Sequence, residues 1–257
     1  MPGRSRSRGL GRPRRGYAVT ALVGLDSHRA VLWVVHSQSI KQQASIDWPR
    51  DRDGGSDGDR YNFFNAIIAA LKPVFSGGVG SLIVASSGNG TALADSFVAH
   101  VRKHHAYLVR SIRMESITAD ASTANAARTL VKTQAFQTVA ANVIEQESDS
   151  MIQLLDARLA DDTGRFTVLY SLEEIDRFFR AFSKAGPLSV GVPEHILMTE
   201  KFWAAQKSSP RLQRITDLAR NAGVKVRVFP EDDKSGARIA QLGGLVCLVV
   251  RRGPSGA

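Results

Sequence analysis

The stretch GVKVRVFPEDDKSGARIAQLGGLVCLVVRR, residues 223–252, contains the clearest fold signals in the chain. Its two apolar runs, 224–229 and 245–250, are rich in β-branched residues and bounded by Gly, Pro or charged residues. Short, continuous apolar runs of this kind predict strands that are buried on both faces of a sheet. Between them the sequence predicts an acidic turn, a short amphipathic segment and a turn at Gly243-Gly244. A domain that ends on a buried strand needs earlier strands and helices around it.

The preceding residues alternate between strand and helix patterns. Turn residues at 26–29, flanked by apolar runs, predict a hairpin. Ser171 followed by Glu174 is typical of a capping box at the start of a helix. The predicted strands are 17–25, 30–36, 37–48, 81–86, 107–111, 166–170 and 188–192, and the predicted helices are 61–75, 91–104, 119–134, 140–160, 171–186 and 211–222.

This order predicts an α/β protein of two domains. Residues 17–137 form an α/β domain with a mixed sheet, and residues 138–252 form a three-layer α/β/α sandwich. We expect residues 1–16 to be a disordered Arg-rich arm and residues 253–257 to be a tail.

The composition of the 257 residues, 43% hydrophobic and 23% charged, is typical of a globular protein with a sizeable core. The sequence has no apolar run long enough to span a membrane, and its N-terminus lacks the apolar segment of a secretory signal. The single cysteine, Cys247, lies in the run LVCLVV, where we expect a buried, inert thiol. A reducing cytoplasm is the expected location.

Most of the net charge of +10 lies near the N-terminus. An arm of Arg, Gly, Ser and Pro with few apolar residues cannot offset its ordering entropy alone, and its charge density suits a polyphosphate surface. The alternative is a tail without a binding role. The candidate RNA-binding residues of the arm are Arg4, Arg6, Arg8, Arg12, Arg14 and Arg15.

A search for catalytic, nucleotide-binding and metal-binding motifs finds none of the common ones. The sequence lacks a P-loop, a GxGxxG after a strand, a CxxC pair and an HExxH motif. His104 and His105 are adjacent, so on a helix they point about 100° apart and make poor joint ligands. We therefore predict no cofactor and no metal site.

One loop combines glycines with arginines: residues 49–60, PRDRDGGSDGDR. Gly54 and Gly55 would let backbone N–H groups approach a phosphate or carbonyl closely, while Arg50, Arg52 and Arg60 supply positive charge. Four aspartates, at 51, 53, 57 and 59, offset that charge. Composition alone therefore favours a solvated loop.

The C-terminal half resembles the C-terminal domain of the Pelota and archaeal/eukaryotic class-1 release-factor superfamily. The resemblance lies in NVIEQESDSMIQLLDARLADDTG (142–164), FTVLYSLEEIDRFFRAFSKAGPLSVGVPEHIL (166–197) and the closing SGARIAQLGGLVCLVVR (235–251). It implies a sandwich similar to kink-turn-binding ribosomal proteins.

The first half resembles the central domain of the same superfamily. GLDSHRAVLWVV (24–35), YNFFNAIIAALKPVF (61–75), SLIVAS (81–86) and DASTANAARTLVK (120–132) carry this resemblance. It implies an RNase H-like α/β fold. The family's N-terminal domain has no counterpart in this sequence.

Release factors of this superfamily carry Gly-Gly-Gln in the loop where this sequence has Gly54-Gly55-Ser56. The segment YNFFNAI that follows is closer to Pelota, which hydrolyses nothing at that position. Where Pelota has a Pro-Gly-Phe turn implicated in contacting its GTPase partner, this sequence has Ser87-Gly88-Asn89.

The resemblance implies a non-catalytic, Pelota-like factor of ribosome rescue or translation quality control. Its partners would be the ribosome and a translational GTPase or recycling ATPase. The arginines of the arm, with Arg50, Arg52 and Arg60, would contact rRNA or tRNA phosphates. The partner-binding candidates are Ser87, Gly88, Asn89, Glu194 and His195.

Two alternatives remain open. One is a peptidyl-tRNA hydrolase that uses Gly54, Gly55 and Ser56 to position water at the ester. The other is a stand-alone RNA-binding or scaffold protein, as the likeness to kink-turn-binding proteins would allow.

Overall fold

The computed structural model describes residues 16–48, 57–88 and 91–251. The strands are β1 Ala18–Leu25, β2 Arg29–His36, β3 Ser39–Asp47, β4 Ser81–Ser86, β5 Arg113–Thr118, β6 Phe166–Leu169, β7 Val192–Thr199, β8 Lys225–Phe229 and β9 Leu245–Val250. The helices are α1 Asp57–Ser76, α2 Thr91–His104, α3 Ala106–Ser111, α4 Ala124–Leu130, α5 Gln134–Leu159, α6 Leu172–Ala185, α7 Pro187–Val190, α8 Glu200–Gln206, α9 Pro210–Asn221 and α10 Lys234–Gln241.

The first sheet is mixed, as the sequence predicts. Its strand order is β3-β2-β1-β4-β5, with β1, β2 and β3 antiparallel and β1, β4 and β5 parallel. The Asp26 carboxylate accepts hydrogen bonds from the backbone N–H groups of His28 and Arg29, which closes the β1–β2 turn. Such local bonding is the reason that aspartate favours turns.

Helices cover both faces of this sheet. Apolar side chains of α1, α2 and α3, such as Phe64 and Phe97, pack on one face. On the other face, α4 and the first half of α5 cover Leu22, Trp33 and Ile83. The indole N–H of Trp33 donates to the Ala121 carbonyl at 2.8 Å, so this buried polar group is satisfied.

The second sheet, of order β6-β9-β7-β8, is also mixed and forms the predicted sandwich. Helices α6 and α9 cover one face, while α10 and the second half of α5 cover the other. Strand β9 lies inside the sheet, as its apolar run predicts. Strand β8 lies at an edge instead, and only Arg227 and Phe229 of its five residues are buried. Burial raises the pKa of the Cys247 thiol to about 12, which agrees with the predicted inert cysteine.

One continuous helix, α5, packs against both sheets. Its 26 residues extend about 39 Å at the rise of an α-helix. Phe136 and Ala140, near its start, pack on the first sheet, and Leu155 packs on the second. The predicted domain boundary at residue 137 therefore falls in the first turn of this helix. The division into two domains remains a prediction, and below the two sheets with their helices are called the first and second units.

A buried ion pair joins the middle of α5 to strand β8. Arg227 donates to the Glu147 carboxylate at 2.5 Å, and each side chain is only 8% exposed. Burial raises the pKa of Glu147, while Arg227 and hydrogen bonds from Ser81 and Gly80 oppose that shift. A Cβ at Gly80 would overlap the Glu147 side chain, so glycine is required here for the close approach.

Two short predicted strands are wrong. Residues 107–111 form helix α3, in which Leu108 and the C-cap residue Ile112 are buried at the i, i+4 spacing of a helix. The strand follows as β5, a polar edge strand without an apolar run. Residues 188–190 belong to the one-turn helix α7, Gly191 has a positive φ, and β7 begins at residue 192.

Two predicted helices also have different limits. The helix predicted over 119–134 is the shorter α4, which is capped by the Thr123 hydroxyl. The next helix begins at Gln134 rather than at residue 140, because Thr133 provides a second N-cap. Helix α8 has no counterpart among the predicted elements. Of the helices in the described ranges, none is both long and apolar enough to cross a bilayer.

We expect Glu147→Gln to lower the free energy of unfolding by about 3 kcal/mol or more, because it leaves the Arg227 charge buried without a counterion. Urea unfolding followed by circular dichroism measures the change.

Asp156→Asn is the matched control, since Asp156 lies on the same helix and forms an exposed pair with Arg238. That change should lower the free energy of unfolding by less than about 1 kcal/mol. Equal losses in the two variants would show that the buried pair has no special role.

Candidate nucleic-acid interface

The predicted RNA-binding loop is attached at one edge of the first sheet. Strands β1 and β4 are parallel, and β3 runs in the same direction because it is antiparallel to β2. Their carboxyl ends therefore meet at one edge. Trp48, just after β3, and Asp57, the first residue of α1, hold the two ends of the loop there.

Contacts fix both ends of this loop. The Trp48 backbone N–H donates to the His28 carbonyl at 2.7 Å. The Trp48 ring packs against Phe63 of α1 with 4.6 Å between ring centroids. Asp57 and Asp59 lie in the first turn of α1, where the helix dipole favours negative charge. Two of the four aspartates thus stabilise the helix start, a role that composition alone did not reveal.

The structure brings three of the predicted site residues to this edge. Arg60 lies in the first turns of α1 and is exposed. Ser87 and Gly88 follow β4 at the same edge and are also exposed. The predicted site residues outside the described ranges are Arg4, Arg6, Arg8, Arg12, Arg14, Arg15, Arg50, Arg52, Gly54, Gly55, Ser56 and Asn89.

A cluster of aromatic and histidine rings lies beside Arg60. Tyr61 is 44% exposed, and its ring lies 5.0 Å from that of His100 and 5.2 Å from that of His104. Asn65 contacts both His100 and His105 through its Oδ1, at 3.3 and 2.9 Å. Burial and the neighbouring histidines lower the pKa of His100, and burial, His104 and Lys72 lower that of His105.

Sequence reasoning missed this cluster because it considered only the two adjacent histidines, and only as joint metal ligands. The usable signal was the spacing of His100 and His104, four residues apart on α2. An exposed tyrosine ring next to an arginine can stack on a nucleic-acid base.

Glu194 and His195 lie elsewhere, inside β7 of the second sheet rather than after a strand. Glu194 pairs with Arg158 at 3.2 Å, and the Arg158 guanidinium lies 3.4 Å from the centre of the Phe166 ring. Burial, aided by Lys225, Arg158 and Arg227, lowers the pKa of His195 to about 4. Its imidazole is therefore neutral at physiological pH.

The two groups of predicted partner-binding residues are far apart in the fold. The second unit meets the first at the amino ends of β1 and β4. There Tyr17 packs on Trp203 with ring centroids 5.7 Å apart, and Gly78 approaches the Val226 backbone. Ser87 and Gly88 follow the opposite, carboxyl end of β4. One small partner cannot contact both groups.

A cavity of about 670 Å³ also lies at the junction of the two units. Its lining includes Glu145, Asp149, Asp232 and Asp233, against a single Lys234, so its charge does not suit phosphate. Within the described ranges, no three His, Cys, Asp or Glu side chains are grouped closely enough to hold a metal ion.

Stability should depend on the protonation of His195. Because its pKa is about 4 in the folded chain and 6.5 unfolded, the unfolded chain binds more protons between these values. This contribution to stability is complete above pH 6.5 and is lost as the pH falls towards 4.

His195→Gln should therefore lose less free energy of unfolding between about pH 7 and about pH 5 than the wild type, by on the order of 1 kcal/mol. Urea unfolding at both pH values tests this. His28→Gln, in the exposed β1–β2 turn, should keep the wild-type pH dependence. An unchanged dependence in His195→Gln would contradict the assignment.

No protein-family profile matches this sequence, and no curated protein matches it. Solved structures do match. A model of ribosome-bound archaeal Pelota and ABCE1 matches with a TM-score of 0.52 and 17% identity, over 96% of this chain and 65% of that chain.

Two further structures are similar at lower scores. Dom34 of S. cerevisiae, described as a translation termination-like factor, matches with a TM-score of 0.47 and 16% identity over 93% of this chain and 65% of its own. The archaeal translation termination factor aRF1 matches with a TM-score of 0.30 and 14% identity over 91% and 62%. The chain thus spans about 65% of the length of Dom34 and of archaeal Pelota. Over nearly all of its own length it has the fold of archaeal Pelota, as the sequence resemblance predicts.

Proposed function

We propose that this protein is a non-catalytic, ribosome-binding factor that acts in ribosome rescue or translation quality control in the cytoplasm. The observation that supports this most is the fold shared with ribosome-bound archaeal Pelota over 96% of the chain. A match over 96% of the chain covers both units, so the likeness extends beyond a single common α/β domain.

The free edge of the first sheet would contact rRNA or tRNA phosphates. Arg60 is exposed there, and Arg50 and Arg52 belong to the loop whose ends Trp48 and Asp57 hold at the same edge. Tyr61 adds an exposed ring for stacking. The arginines of residues 1–15 would add contacts that depend on charge alone.

The loop sequence favours binding over hydrolysis. Where release factors of this superfamily carry glutamine after two glycines, this chain has Ser56. A serine hydroxyl reaches less far than a glutamine amide and cannot present both a carbonyl and an N–H group. The competing proposal, a peptidyl-tRNA hydrolase, is supported by the position of Trp48 and Asp57, the described residues on either side of Gly54-Gly55, at a free edge of the first sheet.

Protein partners would bind at separate places. The matched Dom34 structure is described as interacting with Hbs1, and the matched Pelota structure contains ABCE1. For this chain we propose a translational GTPase or a recycling ATPase. Ser87, Gly88 and Asn89 would serve one contact at the free edge, and Glu194 and His195 another on the second unit.

Cosedimentation of the purified chain with ribosomes tests the proposal. The triple variant Arg50→Glu, Arg52→Glu and Arg60→Glu should bind ribosomes about tenfold more weakly at moderate salt, because each phosphate contact makes a salt-dependent contribution to the affinity. Charge reversal is preferable to deleting residues 1–60, because that deletion would remove β1, β2 and β3.

The triple variant Lys41→Glu, Arg128→Glu and Lys132→Glu is the matched control, because it reverses three exposed charges of the same unit. It should bind within about twofold of the wild type, a free-energy change of about 0.4 kcal/mol. Equal weakening in both variants would remove the proposed RNA contact at the loop.

Peptide release from stalled ribosomes separates the two functions. We expect no release of labelled peptide above background. Release that Gly55→Ala abolishes would establish a hydrolase instead. Capture of a structured RNA without any ribosome binding would favour the stand-alone RNA-binding alternative.

A further inference from the structure

Three arginines surround one carboxylate on the outer surface of the second unit. Arg214 donates to Asp176 through Nε and Nη2 at 2.8–2.9 Å. Arg180 pairs with the same carboxylate at 2.9 Å, and Arg211 lies 3.7 Å from it. We call Arg180, Arg211 and Arg214, held by Asp176, the arginine cluster.

Two packed helices hold the arginine cluster in place. Asp176 and Arg180 are four residues apart on α6, and Arg211 and Arg214 are three apart on α9, so each pair shares one helix face. Below this surface, the fully buried Ile175 and Phe179 of α6 pack in one apolar cluster with Leu212 and Ile215 of α9. The backbone positions of the arginines are therefore fixed by the core.

The cluster carries excess positive charge. Burial alone would raise the pKa of Asp176, but hydrogen bonds from Arg214 and the charge of Arg180 lower it overall, so the carboxylate is ionised. One carboxylate offsets one of the three guanidinium charges. The two helices carry three other acidic residues. Glu173 and Asp217 already pair with Arg177 and Arg220. Glu174 accepts a hydrogen bond from the Tyr170 backbone N–H.

The arginines, rather than the carboxylate, face the solvent. The Asp176 side chain is only 6% exposed, because the arginines cover it, whereas those of Arg180, Arg211 and Arg214 are 57%, 48% and 40% exposed. Asp176 engages only some of their N–H groups. A guanidinium has five N–H donors in a rigid fork that matches the oxygens of a phosphate.

We propose that the arginine cluster is a second RNA-binding site, which binds the phosphodiester backbone. The structural role of the Asp176 pair, joining α6 to α9, needs only Arg214, since that arginine alone makes the two-nitrogen contact across the helices. Arg180 and Arg211 then add charge that the fold does not require. Phosphate is favoured over a carboxylate partner because three planar forks in a fixed arrangement suit a ligand with repeated anionic oxygens.

This site is independent of the loop edge and of the proposed function, because it lies on the second unit and requires no ribosome. It does extend that function: a factor that contacts RNA through both units would be held on its RNA target at two separate points. Such two-point attachment raises affinity without new contacts at either site.

Fluorescence anisotropy with a labelled short RNA hairpin and the full chain tests the site. The double variant Arg180→Gln and Arg211→Gln keeps the Asp176–Arg214 pair. It should bind the RNA at least about fivefold more weakly. The slope of log affinity against log salt concentration is negative, and its magnitude should decrease by roughly one to two.

The matched control is Arg177→Gln with Arg220→Gln, which removes one arginine from each of the same two helices. These arginines are paired with Glu173 and Asp217, so their loss should change RNA affinity less than twofold. A melting temperature equal to that of the wild type shows that each variant is folded.

Three results would overturn the proposal. The first is equal weakening of RNA binding by both double variants, and the second is unchanged RNA binding by Arg180→Gln with Arg211→Gln. The third uses polyglutamate as a second probe: Arg180→Gln with Arg211→Gln loses binding to polyglutamate but not to RNA. The last would assign the cluster to an acidic protein partner. Ribosome cosedimentation of the same variants reports separately on the proposed function, because naked RNA binding and ribosome binding can fail independently.

Discussion

The relative position of the two units depends on the ion pair between Glu147 and Arg227. Both charges are almost fully buried, so each is tolerated only while the other is in place. A buried pair of this kind contributes little net stability, yet it accepts few geometries. The missing side chain at Gly80 lets the Glu147 side chain approach β4, and the pair then fixes strand β8 against α5.

This constraint determines which surfaces remain available. Because the second unit meets the amino ends of β1 and β4, the carboxyl edge of the first sheet is left open for the loop before α1. The arginine cluster lies on α6 and α9, on the face of the second sheet opposite to α5. The exposed Arg60 and the arginine cluster thus lie on separate units that one helix, α5, connects.

Local patterns were sufficient for much of the fold. The β1–β2 turn, the Ser171–Glu174 capping box and the apolar run of β9 each depend on residues close together in sequence. Strand β5 was misplaced because an edge strand need not be apolar. The short helix α3 looks like a strand because five residues cannot separate a helical from an extended apolar pattern.

The candidate site was less predictable, for a physical reason. Arg60 could be found from composition, but its common edge with Ser87 follows only from strand direction. Long-range pairs such as Glu147 with Arg227, 80 residues apart, leave no periodic signal. The arginine cluster is similar: Asp176 and Arg214 are 38 residues apart, and each alone resembles an ordinary surface residue.

The shared helix α5 also sets the order in which the chain can fold during synthesis. The second face of the first sheet, around Trp33, stays uncovered until α5 has been made. The other half of α5 then waits for β9, which follows β6, β7 and β8 in sequence and lies between β6 and β7. The first unit can therefore complete its core once α5 has emerged, whereas the second unit exposes apolar surface until β9 emerges.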